Sequence, residues 1–199
     1  MRQAETTRSY RMTDRAEAMA ATRQAILDAA VEIADPRVPL AAIAERAGVS
    51  ERTVLRHFGN RAGLFAATIK EGSERVEQER FVVSPGDLDG AVANLMAHYE
   101  ASGDAVIARL AEEGSDERID TILDNGRAMH RRWVAEKLGS LLDAGLDRPT
   151  RRRRLAQLVA VCDVYTWKLL RRDSGLGPEQ TKTAIAEMIH GVTKGGPQQ

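Results

Sequence analysis

One glycine between two short apolar patterns constrains this chain more than any other feature of its sequence. The apolar side chains of residues 40–47 share one face of a two-turn helix, and Gly48 follows at once. Glycine readily adopts the left-handed backbone conformation that ends a helix. Ser50 then stands where the side chain of a helix N-cap accepts a backbone hydrogen bond. Residues 40–58 therefore predict a helix–turn–helix, with short helices at about 40–47 and 51–57.

The second of these short helices has an apolar inner face and a polar outer face. Val54 and Phe58, four residues apart, are expected to face the core. From Arg46 to Arg61 the chain has four arginines and one glutamate, although its net charge is zero. Such a local basic patch is typical of a nucleic-acid-binding surface. The alternative is an ordinary corner between two helices, with a solvated outer face.

The composition predicts an all-α fold of about nine helices. Of 199 residues, 43% are hydrophobic and 4% aromatic, and no stretch alternates β-branched residues as a strand would. We expect a flexible basic arm at 1–13, a helix–turn–helix DNA-binding domain at 14–60, a connecting helix at 61–81 and a helical C-terminal domain at 82–199. Glycine, proline and helical spacing divide the C-terminal domain into predicted helices at about 88–101, 104–110, 117–144, 150–172 and 179–193.

Several other classes of protein are disfavoured. Cys162 is the one cysteine, so no disulfide can form within the chain. The sequence has no apolar segment typical of a signal peptide or a membrane span, which predicts a cytoplasmic, nucleoid-associated protein without a membrane partner. It also lacks HExxH, paired-cysteine, glycine-rich phosphate-loop and GxSxG motifs. We therefore expect no enzyme, no catalytic residues, no metal and no cofactor.

These motifs resemble one known family. The DNA-binding domain of the TetR family of bacterial regulators is similar to the run Ile43-Ala44-x-x-Ala47-Gly48-Val49-Ser50-x-x-Thr53-x-x-x-His57-Phe58-x-Asn60-Arg61-x-x-Leu64. Residues 22–30 resemble that family's first helix, and residues 167–176 resemble the start of its last helix pair. The resemblance implies a DNA-reading head, followed by a domain for ligand binding and dimerisation.

The resemblance also implies roles for individual side chains. Base contacts are expected from Glu51, Arg52 and Arg56, because arginine can bond guanine through two donors. Contacts to phosphates, which set the register on DNA, are expected from Ser50, Thr53, His57 and Arg61. Arg61 stands where the family usually has lysine, and Leu55 where it usually has tyrosine. Leu55 could instead contact a thymine methyl group.

The C-terminal domain would hold the effector site and the subunit interface. A mixed or apolar small molecule of unknown identity is expected, with these tentative contacts: Met96, His98, Tyr99, Met129, His130, Trp133, Cys162, Tyr165 and Trp167. Filling the core is the alternative role of each of them. Apolar stripes on the last two helices predict a homodimer built through Leu155, Leu158, Val159, Cys162, Leu169, Ile185, Met188, Ile189 and Val192. The alternative is that these stripes complete the core of a single chain.

The functional expectation combines these features. The chain is expected to bind a palindromic operator in double-stranded DNA as a repressor, and a small-molecule effector is expected to release it. An all-α interaction protein, or an enzyme that has kept the regulator scaffold, is the alternative.

Overall fold

Every regular element is helical in the part of the chain that the structure, a computed structural model, describes. That part is the backbone of residues 2–194 and the side chains of residues 15–194. It contains nine α-helices: α1 (Arg2–Ile33), α2 (Leu40–Arg46), α3 (Glu51–Phe58), α4 (Arg61–Arg80), α5 (Leu88–Leu110), α6 (Glu117–Leu138), α7 (Arg148–Val161), α8 (Val164–Lys168) and α9 (Pro178–Lys194). A 3₁₀ turn (Gly139–Leu141) follows α6, and a π-helical turn (Leu169–Asp173) follows α8. The prediction of an all-α fold with about nine helices is confirmed.

The chain divides into two compact units, with the boundary between Glu74 and Arg75. The predicted connecting helix is therefore observed as α4, and the boundary falls inside it. Within the described residues, no helix is long and apolar enough to cross a membrane.

The N-terminal unit packs α1, α2 and α3 around a small apolar core. Ile26, Ile43 and Val54 contribute one buried side chain from each helix, and Leu64 adds one from α4. The helix α1 begins at Arg2, and not near Asp14 as the sequence predicted. Its bounds thus include residues assigned to a flexible arm, because no glycine or proline interrupts residues 2–33. The side chains on which the predicted charge of that arm rests lie outside the described residues.

The C-terminal unit has a larger core. Helix α5 packs against α6, α8 and α9, and α7 packs against α6 and α9. Trp133 and Trp167 are its largest fully buried side chains. The indole N–H of Trp133 donates to the Arg80 carbonyl (2.9 Å), and that of Trp167 donates to a Glu100 carboxylate oxygen (3.0 Å). The indole N–H group of each buried tryptophan therefore has a hydrogen-bond acceptor.

The predicted break at residues 102–104 is wrong, because α5 continues through them. Gly103 is buried, and a Cβ built on it would lie 2.5 Å from the six-membered ring of Trp167. The glycine is therefore present so that Trp167 can approach α5 closely. The hydroxyl of Ser102 donates to the His98 carbonyl (2.7 Å), which keeps this polar side chain compatible with the helix.

The predicted continuous helix at 150–172 is also wrong. It is divided at Cys162 and Asp163, where α7 ends and α8 begins. The Asp163 carboxylate accepts from the Tyr165 backbone N–H (2.9 Å) and so caps α8. The Cys162 carbonyl, which is left outside the helical pattern, accepts from the Tyr99 hydroxyl (2.9 Å). An apolar stripe does not reveal such a division, because its spacing continues across it.

The contact between Gly103 and Trp167 leads to a stability prediction. Replacing Gly103→Ala should lower the free energy of unfolding of the C-terminal unit by about 1–3 kcal/mol, because the buried ring has to shift. The control is Gly126→Ala in α6, where an added Cβ meets nothing within 4 Å. That control should be neutral or stabilising by up to about 1 kcal/mol. Urea unfolding followed by tryptophan fluorescence measures both, and equal effects of the two variants would contradict the packing argument.

Candidate nucleic-acid interface

The turn between α2 and α3 is closed by two backbone hydrogen bonds. The N–H of Val49 donates to the Ala44 carbonyl (2.9 Å), and the N–H of Gly48 donates to the Glu45 carbonyl (3.0 Å). This pair of bonds is the Schellman motif, which needs a left-handed residue after the helix. Gly48 supplies it with a φ of 67°. The predicted glycine turn is therefore present at the predicted position.

Ser50 begins α3 in the predicted way. Its hydroxyl oxygen accepts from the Thr53 backbone N–H (3.2 Å) and lies 3.0 Å from the Thr53 hydroxyl. Val54, four residues after Ser50, is 1% exposed and anchors α3 to the core of the N-terminal unit. The Ser50 cap fixes where α3 begins, and the buried Val54 fixes the rotation of the helix about its axis. Together they determine which side chains of α3 face outward.

That outer face carries the side chains expected to contact bases. Glu51, Arg52 and Arg56 are exposed, and none of them has a hydrogen bond or ion pair with another described residue. Leu55, between the two arginines, exposes 42% of its surface. The face therefore presents two free guanidinium groups, one carboxylate and one apolar side chain.

The two other arginines of the predicted basic patch are already engaged. Arg46 forms an ion pair with Glu32 of α1 (2.6 Å), which neutralises its charge. Arg61, an expected phosphate contact, donates to the Pro36 carbonyl (3.0 Å). Counting arginines along the sequence therefore overestimates the number of unengaged guanidinium groups, because Glu32 and Pro36 lie outside the counted segment.

The remaining expected phosphate contacts lie at the two ends of α3. Ser50 is exposed, while Thr53 and His57 are half-buried. The Nε2 atom of His57 is shielded from solvent and has no hydrogen-bond partner among the described residues. A phosphate contact from this atom would therefore require a rotation of the imidazole.

Helix α4 starts directly after this surface. The Asn60 side-chain oxygen accepts from the Gly63 backbone N–H (2.8 Å), which caps α4. Phe58, the last residue of α3, packs beneath the Arg23 guanidinium, whose central carbon lies 4.5 Å from the ring centroid. The apolar end of α3 is thus covered by α1, and its polar face remains open.

Residues 26–68, which include α2, α3 and the start of α4, match the family model described as bacterial regulatory proteins of the tetR family. The helix–turn–helix segment of this chain is therefore similar to that of the tetR family of bacterial regulatory proteins.

Two solved structures are similar to this chain over most of its length. A transcriptional regulator from Rhodococcus sp. Rha1 is 20% identical, with a TM-score of 0.57 over 87% of this chain and 95% of that one. At that identity it shows the fold alone. FadR from Bacillus subtilis, in complex with stearoyl-CoA, is 20% identical, with a TM-score of 0.47 over 87% of this chain and 98% of that one. A comparison with curated proteins finds no match.

Most of the expected ligand contacts are core residues of the C-terminal unit. Trp133, Cys162 and Trp167 have no exposed surface, and Met96 and Tyr99 are 5% exposed. His130 is buried, whereas His98 and Met129 are half-buried. Tyr165 lies apart from the others, with 52% of its surface exposed. The structure thus brings the aromatic residues and histidines into one core, except for Tyr165.

Burial changes the protonation of several of these groups. It lowers the pKa of His98 to about 4, and the charge of Arg80 and the neighbouring His130 act in the same direction. Burial also lowers the pKa of His130 and raises the pKa of the Cys162 thiol to about 12. Both histidines are therefore neutral at pH 7, and Cys162 is an unreactive thiol.

Arg80, at the end of α4, also lies within this core and is not among the residues that the sequence singles out. It is 2% exposed, and its guanidinium carbon lies 4.3 Å from the Trp133 ring centroid. Basic residues are common in the last turn of a helix, where they interact favourably with the dipole. Its sequence context therefore gave no signal that this arginine is buried.

The residues expected at the subunit interface fall into two groups. Four of them, Leu158, Cys162, Ile185 and Ile189, are at most 1% exposed, so they have no surface to offer a second subunit. Leu169 is 58% exposed. The others are half-buried, namely Leu155, Val159, Met188 and Val192.

The left-handed turn leads to a prediction for the N-terminal unit. Replacing Gly48→Ala should destabilise the segment 40–58 by about 1–2 kcal/mol, through backbone strain alone, because the added methyl group meets nothing within 4 Å. The matched control is Gly72→Ala in α4, where the Cβ also meets nothing but φ is not positive. Hydrogen exchange of peptides from residues 40–58 measures the effect. Equal protection in the two variants would show that the turn tolerates an ordinary residue.

Proposed function

We propose that this chain is a regulator of the TetR family that reads a specific DNA operator with Arg52 and Arg56 of α3. The observation that carries the proposal is the pair of exposed guanidinium groups on one helix face, neither of them bonded to another described residue. An arginine already paired with a carboxylate would have to break that pair before it could bond a guanine. Arg52 and Arg56 have no such ion pair to break, so the interaction that they exchange on binding DNA is that with water.

The other side chains of this surface complete the proposed interface. Glu51 can accept from a cytosine amino group, which would add base discrimination next to the arginines. Ser50 and Thr53 lie at the N-terminus of α3, where backbone N–H groups and the helix dipole favour a phosphate. Arg61 and His57 are proposed as further phosphate contacts, although each has to rearrange first.

We propose that the regulator is a homodimer, because two heads are needed to read a palindrome. Tyr165 and Leu169, four residues apart at α8 and the turn after it, expose 52% and 58% of their surfaces. Met188 of α9 and Leu155 of α7 are half-buried and retain some surface. Large exposed apolar groups in this region support a second copy of the chain as the covering partner.

The proposed regulation is repression that a small-molecule effector relieves. The effector would bind in the C-terminal unit and favour one conformer of the protein over another. Half-sites on DNA lie about 34–36 Å apart or at multiples of that distance, so a change of a few ångströms between two heads weakens binding.

The DNA proposal predicts a loss of affinity when either arginine is removed. Genomic DNA fragments retained by the wild-type chain serve as the operator, and fluorescence anisotropy measures binding. Arg52→Ala and Arg56→Ala should each lose about 1–3 kcal/mol, or roughly tenfold to a hundredfold in affinity. Arg131→Ala, an exposed arginine of α6, is the matched control and should stay within about twofold of wild type.

Two outcomes would contradict this proposal. Retention of full affinity by both α3 variants would remove these arginines from the interface. If the wild-type chain retained no genomic fragment at low salt, a protein-interaction role for the exposed face around Leu55 would be preferred.

The dimer proposal is tested by placing one charge on the proposed surface. Leu169→Asp should convert the dimer to a monomer, because the carboxylate would be buried without a partner in the interface. Val82→Asp is the control, since Val82 is 75% exposed and lies outside α7–α9. Light scattering of the eluted protein gives the mass of each. A wild-type monomer, or a Leu169→Asp dimer as stable as wild type, would contradict the proposed surface.

A further inference from the structure

Arg80 is a charged side chain held deep in the core of the C-terminal unit. Its exposed fraction is 2%, and its guanidinium lies over the rings of Trp133 (4.3 Å) and Tyr99 (5.9 Å). The backbone carbonyl of Arg80 also accepts from the indole N–H of Trp133 (2.9 Å). Both the main chain and the side chain are therefore fixed against the same tryptophan, so the position of the charge is well defined.

No carboxylate neutralises this charge among the described residues. The Nε and Nη2 atoms of Arg80 are buried and have no hydrogen-bond partner within the described part of the chain. The Tyr99 hydroxyl interacts with the guanidinium, but it is not an anion, because burial raises the pKa of Tyr99. His98 and His130 are neutral neighbours, and His130 has its own unpartnered Nδ1 atom. A buried charge of this kind is costly unless it is paired and hydrogen-bonded.

Nε and Nη2, the two unpartnered atoms of Arg80, lie on one edge of its guanidinium group. Other arginines of this chain bind carboxylates through the same edge. Arg172 uses Nε (3.0 Å) and Nη2 (2.9 Å) to hold the two oxygens of Asp104. Arg118 uses the same two atoms, at 3.0 and 2.7 Å, to hold Asp116. Arg80 offers this two-donor edge in a buried place, where charge-assisted bonds are stronger than at the surface.

We propose that Arg80 binds the carboxylate group of a small-molecule ligand whose apolar part packs within the C-terminal core. The aromatic faces of Trp133 and Tyr99 supply apolar contacts next to the charge, and Met96 is a further apolar side chain of the same core. This inference rests on the proposed function, which places an effector in this unit, and it specifies the chemical class of that effector. Ordered water on the same edge is the competing arrangement.

The test measures binding of defined carboxylates to the full chain by calorimetry and thermal unfolding. The probes are benzoate, phenylacetate and the straight-chain carboxylates from acetate to dodecanoate. Benzamide and octanamide provide neutral counterparts of matched shape, and phenylphosphonate provides a different anion. We expect at least one carboxylate to bind and to raise the melting temperature, while its amide does not.

Variants at Arg80 connect that binding to the proposed residue. Arg80→Met removes the charge at similar length, and we expect roughly a tenfold or greater loss of carboxylate affinity. It should also raise the melting temperature of the ligand-free protein, because an uncompensated buried charge is removed. Arg80→Lys keeps the charge but loses the two-donor edge, so it should also bind more weakly than wild type. This second variant keeps the test decisive if the methionine variant does not fold.

Arg132→Met is the matched control for both variants. Arg132 also stacks on an aromatic ring, that of Phe81 (4.7 Å), but it is 47% exposed and paired with Glu77 (2.6 Å). Its replacement should leave carboxylate affinity within about twofold of wild type. The control therefore distinguishes the effect of losing the buried two-donor edge from the effect of losing one positive charge.

Several outcomes would overturn the proposal. They are the absence of binding by every carboxylate, equal binding of acids and amides, tighter binding of the phosphonate, and undiminished affinity in Arg80→Met. A ligand-free melting temperature that falls in Arg80→Met but not in Arg132→Met would assign Arg80 a structural role, with ordered water on its edge. Because the calorimetry contains no DNA, a wild-type chain that fails to bind any operator contradicts the proposed function alone. Failure of carboxylate binding contradicts only the Arg80 proposal.

Discussion

The left-handed turn at Gly48 is the constraint on which the outer face of α3 depends. The bond from Val49 back to Ala44 fixes the direction of the chain as it leaves α2, and the Ser50 hydroxyl fixes where α3 begins. Once Val54 enters the core, the helical period alone decides which side chains face outward. The turn, the cap and the burial of Val54 thus determine the orientation of the α3 side chains proposed to meet DNA.

Signals of this local kind can be taken from the sequence, whereas signals that depend on distant neighbours cannot. The bounds of α2 and α3 were predicted to within one residue, because a glycine and a serine act on their own backbone. Gly103 also predicts a break, but its role is to leave room for Trp167 of another helix. The predicted break in α5 is therefore wrong. Asp163 ends one helix and caps the next inside an uninterrupted apolar stripe, which hid the division between α7 and α8.

The same distinction applies to charge. Counting four arginines from Arg46 to Arg61 predicts a basic surface on α3, yet Arg46 is paired with Glu32 and Arg61 is bonded to Pro36. Pairing depends on tertiary contacts, and so does burial. For that reason a count of arginines treats residues in very different environments alike, and it does not single out Arg80.

The free-energy cost of an unpaired arginine differs between Arg52 and Arg56 of the N-terminal unit and Arg80 of the C-terminal unit. Arg52 and Arg56 are exposed, so water solvates them until another group replaces it. Arg80 has already lost its water to the core, and the tyrosine and tryptophan faces around it compensate only in part. An effector can shift a conformational equilibrium only by its differential affinity for the two states. Removing one partner of a buried ion pair typically costs about 3–5 kcal/mol. Pairing and unpairing of a buried guanidinium is therefore large enough to supply the roughly 1–3 kcal/mol of typical allosteric coupling.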